Sequence, residues 1–203
     1  MQSIRVEAHA GPEQLKLHDG PFPTPGPGEA LVQVSAAGVN FMDTGVRTGR
    51  LWRHLMPAFV PGVEGAGRVI ALGEGVETLH AGQRVAWVYA PGSYAEQVVA
   101  RADALVPVPD AIDDQTAAGL MMEGATAHHF ATGFYAVKPG DLALVHAATG
   151  GVGLMLTQMI KLLGGRVIAR VSTEGNAQIA RAASRSRHRR KRRQFRERGS
   201  AAY

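Results

Sequence analysis

The sequence contains no cysteine, which excludes disulfide scaffolds and zinc sites with thiolate ligands. Aromatic residues are scarce, at 6% of the chain. No apolar run approaches the roughly 20 residues that a membrane-spanning helix needs. The opening stretch MQSIRVEAHAGPEQ lacks the apolar core of a signal peptide. These absences predict a cytoplasmic protein that does not bind membranes.

Acidic residues are nearly absent from the end of the chain, and this changes the meaning of the net charge of +5. Residues 184–203 contain eight arginines, one lysine and one glutamate, a charge of +8. Removing these from the totals of 22 basic and 17 acidic residues leaves 13 and 16 in residues 1–183, a charge of −3. The body of the chain is therefore mildly acidic and gives no electrostatic reason to expect nucleic-acid binding.

Short β-branched or alternating runs, separated by turn residues, make up the first half of the chain. Such runs predict a barrel-like β domain with Greek-key connections. Four prolines in residues 21–27 predict a surface loop, because a central strand cannot contain them. The predicted strands are IRVEAH, ALVQVSAAGV, GAGRVIALG, QRVAWVYA and YAEQVVARAD.

After about residue 111 the pattern changes to alternating helices and strands. Residues 113–135 predict a helix that is capped by Asp113 or Asp114 and interrupted near Gly124. A strand, a glycine loop, a helix and a second strand follow, which is the start of a doubly wound sheet. Their predicted bounds are Leu142–His146, the loop, Val152–Leu163 and Arg166–Val171, with a further helix capped by Ser172 or Thr173.

The glycine loop HAATGGVG joins the strand to the helix at the position of a dinucleotide site. Gly150, Gly151 and Gly153 let backbone N–H groups, including that of Val152, approach a pyrophosphate at the positive end of the helix. Many strand–helix turns are rich in glycine for steric reasons alone. The surrounding βαβ pattern is what favours the cofactor interpretation.

The second strand of this unit ends without the acidic residue that binds the ribose of NAD. Arg170, Ser172 and Thr173 occupy that region, and Glu174 lies further on. Guanidinium and hydroxyl donors suit a 2′-phosphate better than a carboxylate does, so we predict NADPH as the cofactor. The alternatives are a solvated Arg170 and a Ser172 that only caps the next helix, and both roles can coexist.

Several motifs occur in the order found in one family. Residues 140–161, GDLALVHAATGGVGLMLTQMIK, are preceded by AAGVNFMDTGVRTG, VPGVEGAGRVIALGEGV, AGQRVAW, GSYAEQVV and MMEGATAHH. Over about residues 1–183 the chain resembles the zinc-independent quinone oxidoreductase branch of the medium-chain dehydrogenase/reductase family, which includes zeta-crystallin. The resemblance implies an α+β chain with an α/β part. A GroES-like β-barrel domain would span residues 1–124, a partial Rossmann NADPH-binding domain 125–183, and a disordered arginine-rich tail 184–203.

The resemblance also implies a reaction, namely direct hydride transfer from NADPH to a quinone or activated enone. Zinc-dependent relatives carry a cysteine at the position of Asn40 and a histidine at that of Val63, so we expect no metal site. By the same resemblance, Asn40, Asp43 and Thr126 would surround the reacting cleft. A homodimer is typical of the family, but its usual interface would follow residue 183.

Other interpretations of these residues stay open. Asn40 and Asp43 can equally be turn residues that bond to their own backbone. Thr126 can be a helix residue that bonds back to a carbonyl. Two positions depart from the family. Gly45 replaces a tyrosine near the nicotinamide, and Asn176 replaces a lysine for the 2′-phosphate, which leaves Asn176 as the candidate there.

Family similarity stops where the arginine-rich segment begins, so we expect a truncated chain with an aberrant end. A translational frame change is the interpretation we favour. A nucleic-acid-binding arm and an ordinary solvated charge run are the alternatives. Two functions follow from the sequence. One is an NADPH-dependent quinone or enone reductase in an incomplete or inactive form, and the other is a non-enzymatic remnant whose basic tail binds nucleic acid.

Overall fold

A computed structural model describes residues 1–184. The frame-change, disorder and nucleic-acid hypotheses concern residues 184–203, of which 185–203 lie outside the described residues. The chain divides into two compact units between Met121 and Met122. Within residues 1–184, no helix combines the length and the apolar character needed to cross a membrane.

The first unit is built on antiparallel strands. A hairpin of β1 (Gln2–Val6) and β2 (Leu15–Asp19) is joined to the rest of the unit by bridges from Ser3 to Ala95 and from Val6 to Phe59. The main sheet has the order β6-β3-β4-β5-β7, and all of its pairs are antiparallel. Its strands are β3 (Glu29–Gly38), β4 (Glu64–Leu72), β5 (Arg84–Val88), β6 (Gln97–Arg101) and β7 (Leu105–Pro107).

The core of this unit lies against one face of the main sheet. Trp87 on β5 is fully buried among valines of the neighbouring strands, and this removal of apolar surface from water is the main stabilising contribution. Strands β1, β3, β4, β5 and β6 of the first unit lie where the β-branched runs predict them. The buried cluster comprises Ala30, Val32, Val69, Leu79, Val85, Trp87, Ala90, Val98, Ala100 and Leu105.

Two short helices complete the first unit, α1 (Phe41–Arg47) and α2 (Asp114–Ala118). The sequence patterns did not identify α1, β2 or β7, which are too short to show a clear period. Asp113 caps α2, as predicted, and its Oδ1 accepts a hydrogen bond from the Thr116 N–H at 2.7 Å. Ala117 and Ala118 then pack against the alanines of β4 and β5.

The second unit contains a βαβα arrangement. Two parallel strands, β8 (Leu142–His146) and β9 (Arg166–Arg170), are connected by α4 (Gly151–Leu162), and α5 (Glu174–Ser184) follows. α3 (Met121–His128) and a π-helical turn (His129–Phe134) precede them. The bounds of β8, α4 and β9 confirm the predicted strand, helix and strand to within one residue.

The predicted interruption near Gly124 is wrong. α3 runs through Gly124, and the break lies at Gly119, which ends α2. Gly124 is on the buried face of α3 with Met122 and Ala127. Close packing of that face offsets the roughly 1 kcal/mol that glycine costs in a helix.

Candidate functional site

The first candidate site lies where β3 ends and α1 begins. Asn40 is the residue before α1, and its backbone N–H donates to Asp43 Oδ2 at 2.8 Å. The Asn40 side-chain Nδ2 donates to Glu64 Oε2 at 2.7 Å. All three side chains are buried, and Glu64 is only 1% exposed. The chain thus places two carboxylates beside one amide.

Glu64 reaches this position because β3 ends in a glycine. Gly38 pairs with Glu64 across the sheet, and a Cβ on Gly38 would lie 2.3 Å from Glu64 Oε2 and 2.6 Å from the Ala118 carbonyl oxygen. No other residue leaves room for the carboxylate at this point. Glu64 can therefore occupy this position only because its cross-strand partner, Gly38, has no side chain.

Tyr94 closes the cluster from the other side. Its hydroxyl donates to Asp43 Oδ2 at 2.7 Å, and its backbone N–H bonds to the Pro61 carbonyl at 3.1 Å. The ring lies against Gly62, where a Cβ would come within 2.5 Å of it and where φ is +87°. Gly62 is therefore required both for its backbone conformation and for the position of Tyr94.

Burial, together with the hydrogen bond to Asp43, raises the pKa of Tyr94 above its ordinary value. The tyrosine therefore stays protonated and serves as a donor. Asp43 Oδ1 is buried and has no hydrogen-bond partner within residues 1–184. This orphaned oxygen leaves one acceptor position at the cluster without a donor.

The turn interpretation of Asp43 accounts for only part of its hydrogen bonds. Asp43 does bond to nearby backbone, as a turn residue would, but it also accepts from Tyr94. The structure brings Asn40 and Asp43 together, and their catalytic role stays a prediction. Sequence reasoning missed Glu64 and Tyr94 as members. A buried acid at the start of an apolar strand was the available signal for Glu64.

A group of aromatic side chains joins the segment after α1 to Tyr89, the residue after β5. The Trp52 and Tyr89 ring centroids are 6.5 Å apart, and those of Trp52 and His54 are 6.3 Å apart. Trp52 has φ +49° and Tyr89 has φ +62°, and such strained residues cluster at functional sites. At Gly45, where the family tyrosine is absent, a Cβ would lie 2.8 Å from the Leu51 side chain.

The second candidate site is the glycine loop of the second unit. It follows β8 and ends at α4, whose first backbone N–H groups, those of Gly151, Val152 and Gly153, have no acceptor inside the helix. They point along the helix axis at its positive end, which favours an anion. This donor set fits a pyrophosphate.

The glycines of this loop have different structural roles. A Cβ on Gly153 would lie 2.3 Å from the Ala147 carbonyl oxygen and 2.8 Å from the Ala148 Cα. A Cβ on Gly151 would lie 2.5 Å from Glu123 Cγ. At Gly150 the nearest atom would be 3.4 Å away. Gly151 and Gly153 are thus required by packing, as the steric alternative held, whereas a Cβ at Gly150 would make only an ordinary contact.

A polar group lies at the end of β9. Arg170 Nη1 is 3.2 Å from His146 Nδ1, which belongs to the matching end of β8. Asn176 Nδ2 donates to Ser172 Oγ at 3.4 Å, and the Asn176 N–H donates to Thr173 Oγ1 at 3.2 Å. Thr173, rather than Ser172, therefore caps α5. The structure brings Ser172, Thr173 and Asn176 together at the start of α5.

Thr126 lies half-buried on α3 of the second unit. Its place beside the reacting cleft and its back-bonding to a helix carbonyl both stay predictions. The part of the chain that the structure describes contains no group of three histidine, aspartate or glutamate side chains arranged to hold a metal ion.

Comparison with known proteins identifies the first unit. A family model described as the alcohol dehydrogenase GroES-like domain matches residues 26–110. Among curated proteins, the chain is 40% identical over 179 residues to a quinone oxidoreductase of Pseudomonas aeruginosa, covering 88% of this chain and 55% of that protein. It is 36% identical to a 2-haloacrylate reductase of Burkholderia, covering 87% of this chain and 54% of that protein.

Solved structures agree in fold. A mycobacterial protein complexed with NADPH matches with a TM-score of 0.86 and 42% identity, over 92% of this chain and 57% of the other. The Escherichia coli quinone oxidoreductase complexed with NADPH matches with a TM-score of 0.86 and 35% identity, over 90% and 56%. The chain therefore spans little more than half the length of these relatives, and its two units have the fold of the corresponding part.

Proposed function

The chain belongs to the zinc-independent quinone oxidoreductase branch of the medium-chain dehydrogenase/reductase family, and on that premise we propose that it serves NADPH-dependent hydride transfer to a quinone or an activated enone. The observation that carries the proposal is the first turn of α4. Three free backbone N–H groups follow β8 there, and a cluster of hydroxyl, amide and guanidinium groups lies at the end of β9.

The cofactor would be held at two points of the second unit. The N–H groups of Gly151, Val152 and Gly153 would donate to the pyrophosphate at the start of α4. Donors at the end of β9 and the start of α5 would bind the 2′-phosphate. NADPH when bound supplies the hydride from its nicotinamide ring. The residues proposed for the 2′-phosphate are Arg170, Ser172, Thr173 and Asn176.

Within the first unit, Asn40 and Asp43 would orient the acceptor. Asn40 and Asp43 are fixed by buried hydrogen bonds, so these groups are preorganised. The exposed ring of Tyr89 beside Trp52 offers a flat aromatic surface on which a quinone ring can stack. A quinone or activated enone is already electron-poor, so it needs less polarisation by the protein than a simple carbonyl does.

Titration of the chain with NADPH and NADH, followed by nicotinamide fluorescence, tests the cofactor proposal. We expect tighter binding of NADPH, and we expect Arg170→Ala to weaken NADPH about tenfold while leaving NADH unchanged, because one charge-assisted contact is lost. Arg166→Ala, at the opposite end of β9, is the matched control. Absence of binding of either dinucleotide at millimolar concentration would contradict the proposal.

Quinone-dependent loss of NADPH absorbance tests the reaction. If the chain turns over, Trp52→Ala should raise KM for the quinone severalfold with little change in kcat, because stacking contributes about 1 kcal/mol to binding. Leu51→Ala serves as a neighbouring control. An unchanged KM in Trp52→Ala would exclude Trp52 from the acceptor site, and binding without turnover would limit this chain to a cofactor-binding form.

A further inference from the structure

One acidic side chain lies against the loop proposed to bind the pyrophosphate. Glu123, on α3, packs onto the first residue of α4 within the second unit. A Cβ on Gly151 would be 2.5 Å from Glu123 Cγ, 2.8 Å from Oε1 and 3.0 Å from Cδ. The carboxylate therefore lies against Gly151, the first residue of α4.

The Glu123 carboxylate lies at the end of α4 that carries a partial positive charge. The amino terminus of α4 carries a partial positive charge, which attracts an anion within the first turn. Glu123 Oε2 is buried, and no hydrogen-bond donor faces it within residues 1–184. The Glu123 charge is thus held at the helix terminus by packing and by the helix field, without a fixed hydrogen-bond partner for this oxygen.

From this arrangement we propose that Glu123 is an internal competitor of the dinucleotide. Its carboxylate opposes the pyrophosphate at the start of α4 and lowers the affinity for NADPH and NADH alike. The inference rests on the proposed function, since it concerns the same cofactor site. Two like charges a few ångströms apart in a partly desolvated site repel strongly enough to weaken binding about five- to tenfold.

The proposal also accounts for Gly151. Gly151 has no side chain, which leaves room for the methylene groups of Glu123. This glycine therefore allows the position of the carboxylate in addition to the approach of a ligand. A residue that only filled space at this position would not need a charge. Removing the charge while keeping the shape therefore separates an electrostatic role from a packing role.

The experiment compares the wild-type chain with Glu123→Gln. Inorganic pyrophosphate is the first probe, and its effect on the melting temperature is measured. NADPH and NADH are the second, and their Kd values are measured by fluorescence at low and high salt. We expect Glu123→Gln to tighten both dinucleotides by the same factor of about five to ten, with a gain that shrinks as salt rises. Pyrophosphate should raise its melting temperature more than that of the wild type.

Glu77→Gln is the matched control, because it removes the same charge from an exposed position of the first unit. It should leave all these values unchanged. If Glu123→Gln melts before it can be titrated, Glu123→Ser removes the charge with a smaller side chain and should shift affinity in the same direction.

The outcomes separate the two proposals. Equal dinucleotide affinity in the wild type and Glu123→Gln, or weaker binding in the variant, would overturn the competitor role and leave NADPH binding intact. A larger pyrophosphate response in the variant, with no dinucleotide binding by either protein, would support the role of Glu123 and contradict the proposed function. No response of either protein to any probe would overturn both.

Discussion

At the scale of single residues, the first unit holds two buried carboxylates in position with neutral donors. Asp43 accepts from the Asn40 N–H and from the Tyr94 hydroxyl, and Glu64 accepts from the Asn40 amide. Buried polar groups are costly unless such bonds are made. Each donor in this cluster should therefore matter more for stability than a surface hydrogen bond does.

Tyr94→Phe tests that expectation. Removal of the hydroxyl takes one of the two donors, the other being the Asn40 N–H, away from Asp43 Oδ2, so the free energy of unfolding should fall by about 1–2 kcal/mol. Urea denaturation followed by circular dichroism measures the change. Tyr89→Phe, at a tyrosine that is 59% exposed, should have almost no effect. Equal stability of both variants would show that the hydrogen bond contributes little.

The raised pKa of Tyr94 gives a pH dependence with a definite sign. Below about pH 10 the phenol is protonated in the folded and unfolded chain alike, so the contribution of Tyr94 is fully present. Above that pH the unfolded tyrosine loses its proton first, which favours unfolding. The stability advantage of the wild type over Tyr94→Phe should therefore shrink as pH rises above about 10. Denaturation midpoints of both proteins across that range measure it, and an advantage that stays constant there would contradict it.

Thr157 on α4 offers a test in the second unit. It is 1% exposed, and its hydroxyl has no hydrogen-bond partner within residues 1–184. Thr157→Val removes the unsatisfied group at almost constant volume, so thermal stability should be unchanged or raised, by up to about 1 kcal/mol. Thr157→Ser keeps the hydroxyl and loses a buried methyl group, so it should be destabilising. Marked destabilisation by valine would reveal a partner for the hydroxyl.

At the scale of elements, the strand–loop–helix unit is fixed by close approach of α4 to the loop after β8. Gly153 allows this approach, because even a methyl group there would overlap the backbone of Ala147 and Ala148. Gly164, with φ +89°, ends α4 and returns the chain to β9. The same local sequence that suggests a cofactor site is therefore also required by helix–strand packing.

Gly153→Ala and Gly150→Ala form a matched pair for this element. Gly153→Ala must push α4 away from backbone atoms and should cost about 1–3 kcal/mol or more. Gly150 has φ −75° and ψ 167°, which alanine adopts freely, and its Cβ would meet nothing closer than 3.4 Å. Gly150→Ala should therefore stay within about 1 kcal/mol of the wild type. Thermal melts of both variants measure the loss of stability. Equal losses in the two variants would argue against the packing role of Gly153.

At the scale of the whole molecule, the two-stranded sheet of the second unit has one covered face and one open face. The core beneath α4 and α5 takes Ala143, Val145 and Val167. The opposite face carries Leu142, Leu144 and Ile168, which are 56%, 58% and 53% exposed. Parallel sheets are usually covered on both faces, so this apolar surface favours self-association in solution.

Replacement of these three residues by threonine tests the consequence. The variant Leu142→Thr, Leu144→Thr, Ile168→Thr should aggregate less with increasing concentration, because threonine suits a β-strand and lowers the exposed apolar area. Dynamic light scattering measures the association, and a thermal melt checks that the fold is retained. The control replaces Leu17, Ile70 and Val106, exposed on three different strands of the first unit, and should leave association unchanged. Equal aggregation of both triple variants would contradict the role of the open face.

The sequence by itself determined the features that depend on neighbouring residues. The apolar period and the glycine loop predict β8, α4 and β9 to within one residue. The sequence offers Asp113 or Asp114, and Ser172 or Thr173, as helix caps, and the structure selects Asp113 and Thr173. The ordered motifs indicate the family. The prediction of a helix break at Gly124 was wrong, because a glycine breaks a helix only where packing does not require a small residue.

Only the tertiary structure decided which distant side chains meet. Asn40 and Glu64 are 24 residues apart, and Asp43 and Tyr94 are 51 apart, so sheet register and loop geometry had to bring them together. The placement of Glu123 against Gly151 likewise depends on how α3 packs beside α4. Such contacts follow from packing between elements, and local periodicity carries no information about them.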